Sequence, residues 1–467
     1  MKYNKKIVSV LVVMCGLFLC IFLYLTYFSL FKADEIKTSN YNRRLWEREE
    51  SVVRGTIYDR RGVVLAESQV DEQGNQTRVY PYGSLYTHIV GYNARSYGKT
   101  NLELTYNDYL LRTESIAEII QYGIDGSEMR RGCNLVTTLD HELMEKAKEE
   151  MQGRSGAVVA LDPRTGEVLC LFSNPSFDPN EDKLVENWAD LSANENSPFL
   201  PRATKGLYPP GSTFKIAVAA EAIESGMKDF TVNDEGSIRI DGRDFSNSGR
   251  KAYGSLDLIS GFKHSSNVMF AQLGTELGAA RLKNAAERFR ITESIPFDIA
   301  TSSLKWSYDS SMSKTELASV GIGQGKLLTT PLNMALTAAA IANGGVMMKP
   351  YLVSSVISSN EVAVYQASPE TLANVVSAST AAKIAEYMLA CVESGTGSNA
   401  RIRGIEVAGK TGTAQNEREG KDHAWFVGFA PKDDPRIAVA VIQEYSGASG
   451  GSACAPVARE IMKAWLQ

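Results

Sequence analysis

The amino-acid sequence predicts a mixed α/β protein of the α+β type, held at a membrane by one N-terminal helix. Residues 7–31 contain no charged side chain and are long enough to cross a bilayer as a helix. Residues 156–161 and 167–172 are two short apolar runs joined by a turn with proline and glycine, which predicts a β-hairpin. Residues 212–220 follow a Pro-Pro-Gly turn and are rich in apolar helix formers, which predicts a buried helix.

Length and composition limit the possible classes of protein. A chain of 467 residues is longer than one ordinary domain, so we expect two or three domains. The net charge is -5 and no basic block is present, which argues against nucleic acid as a partner. The six cysteines show no C-x-x-C spacing, so a disulfide scaffold, a redox pair and a cysteine metal site are not expected.

The apolar segment at residues 7–31 is predicted to be an uncleaved transmembrane anchor. Three lysines precede it, which by the positive-inside tendency makes residues 1–6 a cytoplasmic tail. Its far end is rich in tyrosine and phenylalanine, which suit the membrane interface, and it lacks the small-residue site of a cleaved signal. We therefore expect a single-pass cell-membrane protein whose remaining chain is extracytoplasmic.

Residues 32–150 are predicted to form a small mixed domain. Residues 33–50 are polar and predict a short stalk, and residues 56–65 predict a small hairpin around an Asp-Arg-Arg-Gly turn. The polar run at residues 69–77 predicts a flexible loop. Asp140 stands where it would cap a helix that continues to residue 151, close to the expected domain boundary.

The helix after the Pro-Pro-Gly turn carries a candidate nucleophile and a candidate base. Ser212 occupies the expected cap position, and Lys215 follows one turn later on the same face. A serine hydroxyl needs a base, and burial lowers the pKa of a lysine so that it can act as one. The Ser-x-x-Lys pattern alone is not specific, because it also begins at Ser96, Ser225, Ser248, Ser260, Ser302 and Ser311.

Two later segments add chemistry to this pair. Ser265 and Asn267 could relay a proton and bind a substrate amide, although a Ser-x-Asn sequence more often caps a helix. Lys410 begins the one Lys-Thr-Gly sequence of the chain, on a predicted strand from residue 405. Its charge, together with the hydroxyls of Thr411 and Thr413, could hold a substrate carboxylate.

The serine, Ser-x-Asn and Lys-Thr-Gly motifs, in this order, resemble those of a class B penicillin-binding protein, a monofunctional peptidoglycan D,D-transpeptidase. Residues 54–62, 173–180, 321–331 and 423–431 also resemble that family. The resemblance implies that residues 151–467 form a penicillin-binding, serine β-lactamase-like transpeptidase domain, whose five-stranded antiparallel sheet is flanked by helices. It implies that residues 32–150 form a pedestal for dimerisation or interaction.

The resemblance also implies a reaction and its residues. Ser212 attacks the penultimate D-Ala carbonyl of a stem peptide that ends in D-Ala-D-Ala, and Lys215 takes its proton. The N–H groups of Ser212 and Thr413 form the oxyanion hole, and an amine of a second stem peptide resolves the acyl-enzyme. No cofactor is implied, and β-lactams are expected as inhibitors. The implied site consists of Ser212, Lys215, Ser265, Asn267 and Lys410 as catalytic residues, with Thr411, Gly412 and Thr413 binding substrate.

Partners follow from the same resemblance. The anchor and pedestal are expected to dock on a membrane-embedded SEDS-type glycan polymerase and to contact membrane lipid. Such a pair would serve peptidoglycan synthesis in cell division or in the maintenance of cell shape.

Other functions share parts of these motifs. A D,D-carboxypeptidase would use the same serine with water as acceptor, and a penicillin sensor or scaffold would bind without turnover. A serine β-lactamase is disfavoured, because no Glu-x-x-Leu-Asn lies between the second and third motifs. Some rod-elongation relatives carry a zinc site between the first two motifs. Asp234, Asp241 and Asp244 have no neighbouring cysteine or histidine, so no metal is expected, and His423 is interpreted as a packing residue.

Overall fold

The computed structural model describes residues 5–31, 52–112, 130–308, 311–415 and 421–467. Its first element is the helix Lys5–Phe31, in which Ile7–Phe28 has a mean hydropathy of 2.8 and no part buried in the protein. An apolar helix of this length is consistent with the predicted membrane anchor. The predicted stalk at residues 33–50 lies outside the described residues.

The larger part of the chain is built on a five-stranded antiparallel sheet, as predicted. Its strands lie in the order Val168–Asn174, Gly156–Leu161, Ile437–Gln443, His423–Ala430 and Ala408–Ala414. The central strands are buried throughout because helices cover both faces. The helix Pro331–Ala342 packs on one face, and the helices His141–Met151 and Ala455–Leu466 pack on the other.

The remaining helices surround this sheet or belong to the N-terminal region. Longer helices are Glu181–Ala193, Lys215–Glu224, Leu258–Lys263, Asn267–Arg288, Lys314–Gly321 and Ala378–Ser394. Short helices are Thr87–Val90, Asn101–Thr105, Asn107–Leu110, Arg202–Lys205 and Gly450–Ala453. Single 3-10 turns are Gly83–Leu85, Gly211–Phe214, Ser248–Arg250 and Ser398–Ala400.

A second, six-stranded sheet joins segments that are far apart in sequence. Its order is Ala363–Gln366, Val353–Ile357, Asn134–Thr137, Ile57–Tyr58, Val64–Val70 and Gln76–Val79. Neighbouring strands are antiparallel except for the parallel pair Ile57–Tyr58 and Asn134–Thr137. Two of its strands come from beyond residue 150, so this sheet crosses the boundary that the sequence predicts.

Short two-stranded ribbons complete the secondary structure. They pair Val52–Val53 with Arg130–Arg131, Asn93–Ala94 with Gly98–Lys99, Thr231–Asp234 with Gly254–Asp257, Ser237–Ile240 with Arg243–Ser246, and Val346–Met348 with Thr371–Asn374. The ribbons between residues 231 and 257 lie between the first two motifs.

Of the local predictions in the N-terminal region, two are confirmed and one predicted loop proves shorter. The hairpin around Asp59 is confirmed, and its carboxylate accepts hydrogen bonds from the N–H groups of Arg61 and Val63. The Asp140 cap is also confirmed, since Oδ1 accepts from Leu143 N at 3.1 Å. The loop predicted at residues 69–77 is shorter, because two strands extend into it and leave only a tight turn closed by the Asp71 carboxylate.

Candidate active site

The candidate nucleophile lies in a tight turn before a buried helix. Gly211 has φ +54°, and a Cβ there would lie 2.5 Å from the carbonyl oxygen of Thr413. The prediction that Ser212 caps the helix is wrong. The left-handed Gly211 starts a 3-10 turn, so Ser212 lies inside the first turn, and the α-helix begins at Lys215. The helix is buried from Lys215 to Ala222, as its apolar sequence predicts.

The side chains of Ser212 and Lys215 have different environments. Ser212 is partly exposed, and among the described residues its hydroxyl makes no hydrogen bond, so it is open to a ligand. Lys215 is 0 % exposed. Its Nζ donates to Asn267 Oδ1 at 2.8 Å and lies 2.9 Å from the carbonyl oxygen and 3.3 Å from Oγ of Ser265. A buried lysine beside an open serine is the arrangement that activation of the serine requires.

Electrostatics favour the neutral form of Lys215. Burial lowers its pKa well below the usual value, the nearby charge of Lys410 lowers it further, and the charge of Asp234 opposes both effects. A neutral amine can accept a proton from the serine hydroxyl, so the environment suits a general base.

Lys410 approaches the same point from the opposite side. It is also 0 % exposed, and its Nζ donates to Ser265 Oγ at 2.9 Å and to the carbonyl oxygen of Thr411 at 3.0 Å. Burial lowers its pKa to about 8. The Ser265 hydroxyl therefore lies between two buried amines, and the motifs are brought together as the sequence predicts.

The Ser-x-Asn segment turns sharply to present its side chains. Ser265 has φ +57°, which is uncommon for a residue other than glycine. Ser266, the middle residue, caps the helix Asn267–Arg288 by accepting from Met269 N at 3.0 Å. Capping thus belongs to Ser266, and Ser265 and Asn267 remain available to Lys215.

The Lys-Thr-Gly strand Ala408–Ala414 is the edge of the five-stranded sheet and packs on the Ser212 turn. A Cβ at Gly412 would lie 2.9 Å from Thr213 Cγ2 and 3.2 Å from the carbonyl oxygen of Pro210. The side chain of Thr413 is exposed, and Thr411 is buried on the same face of the strand. An edge strand beside the serine can receive an extended peptide, and its hydroxyls can bind a carboxylate.

Sequence reasoning missed two groups of residues that support this site. Thr396 Oγ1 lies 2.6 Å from Thr411 Oγ1; its flanking glycines were the available signal. Asp234 and Asn247 lie behind the Ser-x-Asn segment, where Asn247 Oδ1 accepts from Asn267 N at 2.8 Å. No sequence pattern distinguishes Asp234 or Asn247 from ordinary loop residues.

Asp234 and His423, two of the residues considered for a metal site, have other contacts. Within the described ranges, no three His, Cys, Asp or Glu side chains group as a metal site. The Asp234 carboxylate accepts hydrogen bonds from Asn247 and Ser266. His423 pairs with Ala414 in the sheet, and its ring packs between those of Tyr208 and Tyr445.

Comparisons with known proteins agree on one family. The model of the penicillin binding protein transpeptidase domain matches residues 156–463, and that of the penicillin binding protein A dimerisation domain matches residues 54–133. The chain is 33% identical over 471 residues to peptidoglycan D,D-transpeptidase PbpA of Mycolicibacterium smegmatis, covering 94% of both chains. It is 32% identical to peptidoglycan D,D-transpeptidase MrdA of Acinetobacter baumannii, over 84% of this chain and 66% of MrdA. The structure of penicillin-binding protein A from M. tuberculosis as a penicillin G acyl-enzyme has a TM-score of 0.83 and 31% identity, covering 89% of this chain and 100% of that one.

Proposed function

This chain belongs to the class B penicillin-binding proteins and is a membrane-anchored serine D,D-transpeptidase of peptidoglycan, and we propose that Ser212 is its nucleophile. The observation that carries the proposal is the Ser265 hydroxyl, which lies 3.3 Å from Lys215 Nζ and 2.9 Å from Lys410 Nζ beside the Ser212 turn. The Ser265 hydroxyl, as a proton relay, thus joins the candidate base Lys215 to the positive charge of Lys410. Lys215 follows Ser212 by three residues.

In the acylation step, Ser212 Oγ forms a bond to the carbonyl carbon of the penultimate D-Ala of a stem peptide. Lys215 accepts the hydroxyl proton, and the N–H groups of Ser212 and Thr413 stabilise the negative oxygen of the tetrahedral intermediate. The C–N bond to the terminal D-Ala then breaks. Ser265 passes the proton to the leaving amine, and D-Ala departs.

The substrate is oriented by its carboxylate. The Lys410 charge attracts it, and the hydroxyls of Thr411 and Thr413 donate to it from the edge strand. Gly412 lets this strand lie directly against the Ser212 turn, and the amide of Asn267 serves the substrate's peptide group. β-Lactams carry the same carboxylate beside a reactive amide, so they acylate the same serine.

The second half of the reaction joins two peptides. An amine of a neighbouring stem peptide attacks the acyl-enzyme carbonyl and loses its proton to Lys215 through Ser265. Ser212 Oγ leaves with a proton, and the new amide bond cross-links the two strands. If water took the amine's place, the product would be a shortened stem peptide, as in a carboxypeptidase.

The proposal is tested by labelling membranes with fluorescent penicillin and mapping the modified residue. Ser212→Ala should abolish labelling while thermal unfolding remains cooperative. Ser225→Ala is the matched control, because Ser225 also begins a Ser-x-x-Lys sequence and lies at the other end of the same helix. Labelling that persists in Ser212→Ala would contradict the assignment.

We further propose a domain division, an orientation and partners. Residues 1–6 form a cytoplasmic tail, residues 7–31 the anchor, residues 32–150 the pedestal and residues 151–467 the extracytoplasmic transpeptidase domain. The two matched family regions support this division. The anchor contacts membrane lipid and a SEDS-type polymerase, on which the pedestal also docks. Apolar side chains exposed along Ile7–Phe28, together with Val70 and Leu104 on the pedestal, support this docking.

Docking is tested by replacing residues 7–31 with an unrelated apolar helix and, separately, by Leu104→Glu. Co-purification with the polymerase and growth are the measurements, and both should be impaired. Val185→Glu is the control, because Val185 is 51% exposed on a different helix. Arg54 is unsuitable, since it is buried against Glu103 and its loss would affect folding. The docking proposal fails if both variants still co-purify and support growth.

A further inference from the structure

A buried carboxylate without a contacting cation lies behind the Ser-x-Asn segment. Asp234 ends the strand Thr231–Asp234 and is 0 % exposed. Its Oδ1 accepts from Gly236 N and Asn247 Nδ2, both at 2.8 Å, and its Oδ2 accepts from Ser266 Oγ at 2.6 Å and Asn247 Nδ2 at 2.9 Å. In the part of the chain that the structure describes, no arginine or lysine forms an ion pair with it. A buried anion held only by neutral donors is costly, which suggests a role for its charge.

The hydrogen bonds of this carboxylate lead directly to the groups that hold Lys215. Ser266, which donates to Asp234, accepts from Lys215 Nζ through its carbonyl oxygen at 3.4 Å. Asn247, which also donates to Asp234, accepts from Asn267 N at 2.8 Å through Oδ1. Asn267 in turn accepts from Lys215 Nζ at 2.8 Å. Every hydrogen-bond acceptor of Lys215 therefore belongs to a segment that Asp234 fixes in place.

The charge of Asp234 also acts on a site with an excess of buried positive groups. Lys215 and Lys410 are both fully buried and share the Ser265 hydroxyl, so their charges repel each other. Burial and Lys410 lower the pKa of Lys215, and Asp234 raises it. The Asp234 charge thus favours the protonated form of Lys215, whereas burial and the Lys410 charge favour the neutral form.

Other titratable groups near this site are placed differently. Tyr253 lies near Asp234, the Lys251 amine lies over the Tyr253 ring, and His264 stacks on the same ring. Cys391 acts on Lys410 rather than on Lys215, and raises its pKa against the larger effect of burial. Among these groups, Asp234 is the carboxylate that acts on Lys215.

We propose that Asp234 is a positioning residue of the transpeptidase reaction. Through Ser266 and Asn247 it fixes the Ser265–Asn267 segment, and its negative charge raises the pH at which Lys215 loses its proton. This inference rests on the proposed function, because it takes Lys215 as the base for Ser212. A residue that only supported the fold would fix the segment without affecting protonation.

The test is the pH dependence of the rate of acylation by penicillin in the full-length protein. The rate of the wild type should rise with pH as Lys215 becomes neutral. In Asp234→Asn this acidic limb should move to lower pH by about one unit, because loss of a nearby negative charge makes the protonated amine less stable. A rate that falls equally at every pH, with the limb in place, would overturn the role of the charge.

An exchange variant separates charge from hydrogen bonding. Asp234→Asn combined with Asn247→Asp keeps one carboxylate and one amide in contact, so its acidic limb should return toward that of the wild type. A limb that stays displaced overturns the proposal. Ser266→Ala removes one hydrogen bond and leaves the carboxylate, so the rate should fall with the limb unmoved.

The Ser266→Ala variant also serves if Asp234→Asn does not fold, since a limb displaced by this variant overturns the assignment to charge. Failure of the proposed function would have a different result. Acylation would then persist in Ser212→Ala, whatever the behaviour of the Asp234 variants.

Discussion

At the scale of single residues, the two buried lysines share the Ser265 hydroxyl but differ in their other partners. Lys215 Nζ has four oxygen neighbours from Ser265, Ser266 and Asn267, whereas Lys410 Nζ has two, one of them from its own strand. The Ser-x-Asn segment therefore holds the Lys215 amine in place, which suits its proposed role as the base. Lys410 belongs to the edge strand itself, beside which a substrate carboxylate would lie.

The pKa of Lys410 predicts an alkaline limit to acylation. Burial lowers this pKa to about 8, so the amine is charged below that pH and neutral above it. A neutral amine does not attract a carboxylate, and we expect acylation by penicillin to decline as the pH rises through about 8. The measurement is the acylation rate between neutral and alkaline pH.

Lys410→Arg provides the comparison for this prediction. A guanidinium remains charged over the whole range, so the alkaline decline should disappear even if the bulkier side chain slows acylation at every pH. A decline at the same pH in Lys410→Arg would assign it to another group. Lys228→Ala, an exposed lysine of another Ser-x-x-Lys sequence, should keep the wild-type profile.

At the scale of elements, the Ser212 turn is held from several sides. Trp425 Nε1 donates to the carbonyl oxygen of Pro209 at 3.1 Å, and Gly211 N donates to that of Gly323 at 2.9 Å. On the side of the edge strand, Gly412 packs without space for a side chain. The proposed nucleophile Ser212 thus lies in a turn that is held by several separate segments, which favours a fixed geometry for attack.

Gly412→Ala should separate the edge strand from this turn. The new Cβ would lie 2.9 Å from Thr213 Cγ2 and 3.0 Å from Trp425 Cβ, so one of these elements must move. We expect slower acylation together with a loss of about 1–3 kcal/mol in the free energy of unfolding. Denaturant unfolding and penicillin labelling measure the two effects.

Gly226→Ala is the matched control for Gly412→Ala. Gly226 has φ +82° and nothing within 4 Å of an added Cβ, so its substitution strains the backbone away from the site. Stability should fall, and acylation should not. If Gly412→Ala acylates at the wild-type rate, the close packing of strand and turn is not required for the reaction.

At the scale of the whole molecule, the N-terminal region and the larger part of the chain share structure. The six-stranded sheet contains strands from both, and the ring of Tyr97 stacks on that of Trp188 with centroids 3.7 Å apart. Arg60 reaches Glu167 at 3.3 Å and lies over the Trp465 ring. The described N-terminal region is therefore packed directly against the larger part of the chain.

The N-terminal region contains a buried carboxylate, Glu103, that lies between two arginines. Glu103 is 0 % exposed, and its oxygens lie 2.6 Å from Arg54 Nε and 2.8 Å from Arg78 Nε. Burial by itself raises the Glu103 pKa, but the two arginine charges and their hydrogen bonds outweigh burial and hold the pKa below its usual value. Its contribution to stability is therefore present above the usual glutamate pKa and is lost as the pH falls through the lower folded value.

Glu103→Gln should lower the free energy of unfolding by about 3–5 kcal/mol at neutral pH, because both arginines lose their buried counter-charge. The difference from the wild type should shrink in acid, where the glutamate also becomes neutral. Thermal unfolding at several pH values measures it, with Glu72→Gln in an exposed turn as the control. An equal difference at all pH values would show that shape, and not charge, is responsible.

The sequence by itself determined the features that depend on near neighbours. The apolar anchor, the hairpin around Asp59, the cap at Asp140 and the buried helix after Ser212 follow from local patterns of polarity and turn residues. The motif residues were identified for the same reason, since each motif occupies only a few consecutive positions. The error at Ser212 is also local, because the sequence does not show that Gly211 is left-handed.

Only the tertiary structure decided which residues meet. Lys215 and Lys410 reach Ser265 from positions 50 and 145 residues away, and Ser266 reaches Asp234 over 32 residues. The strand Val353–Ile357 likewise completes a sheet begun by the N-terminal region. Such contacts depend on how separate elements pack, and periodicity within a single segment carries no information about its distant partners.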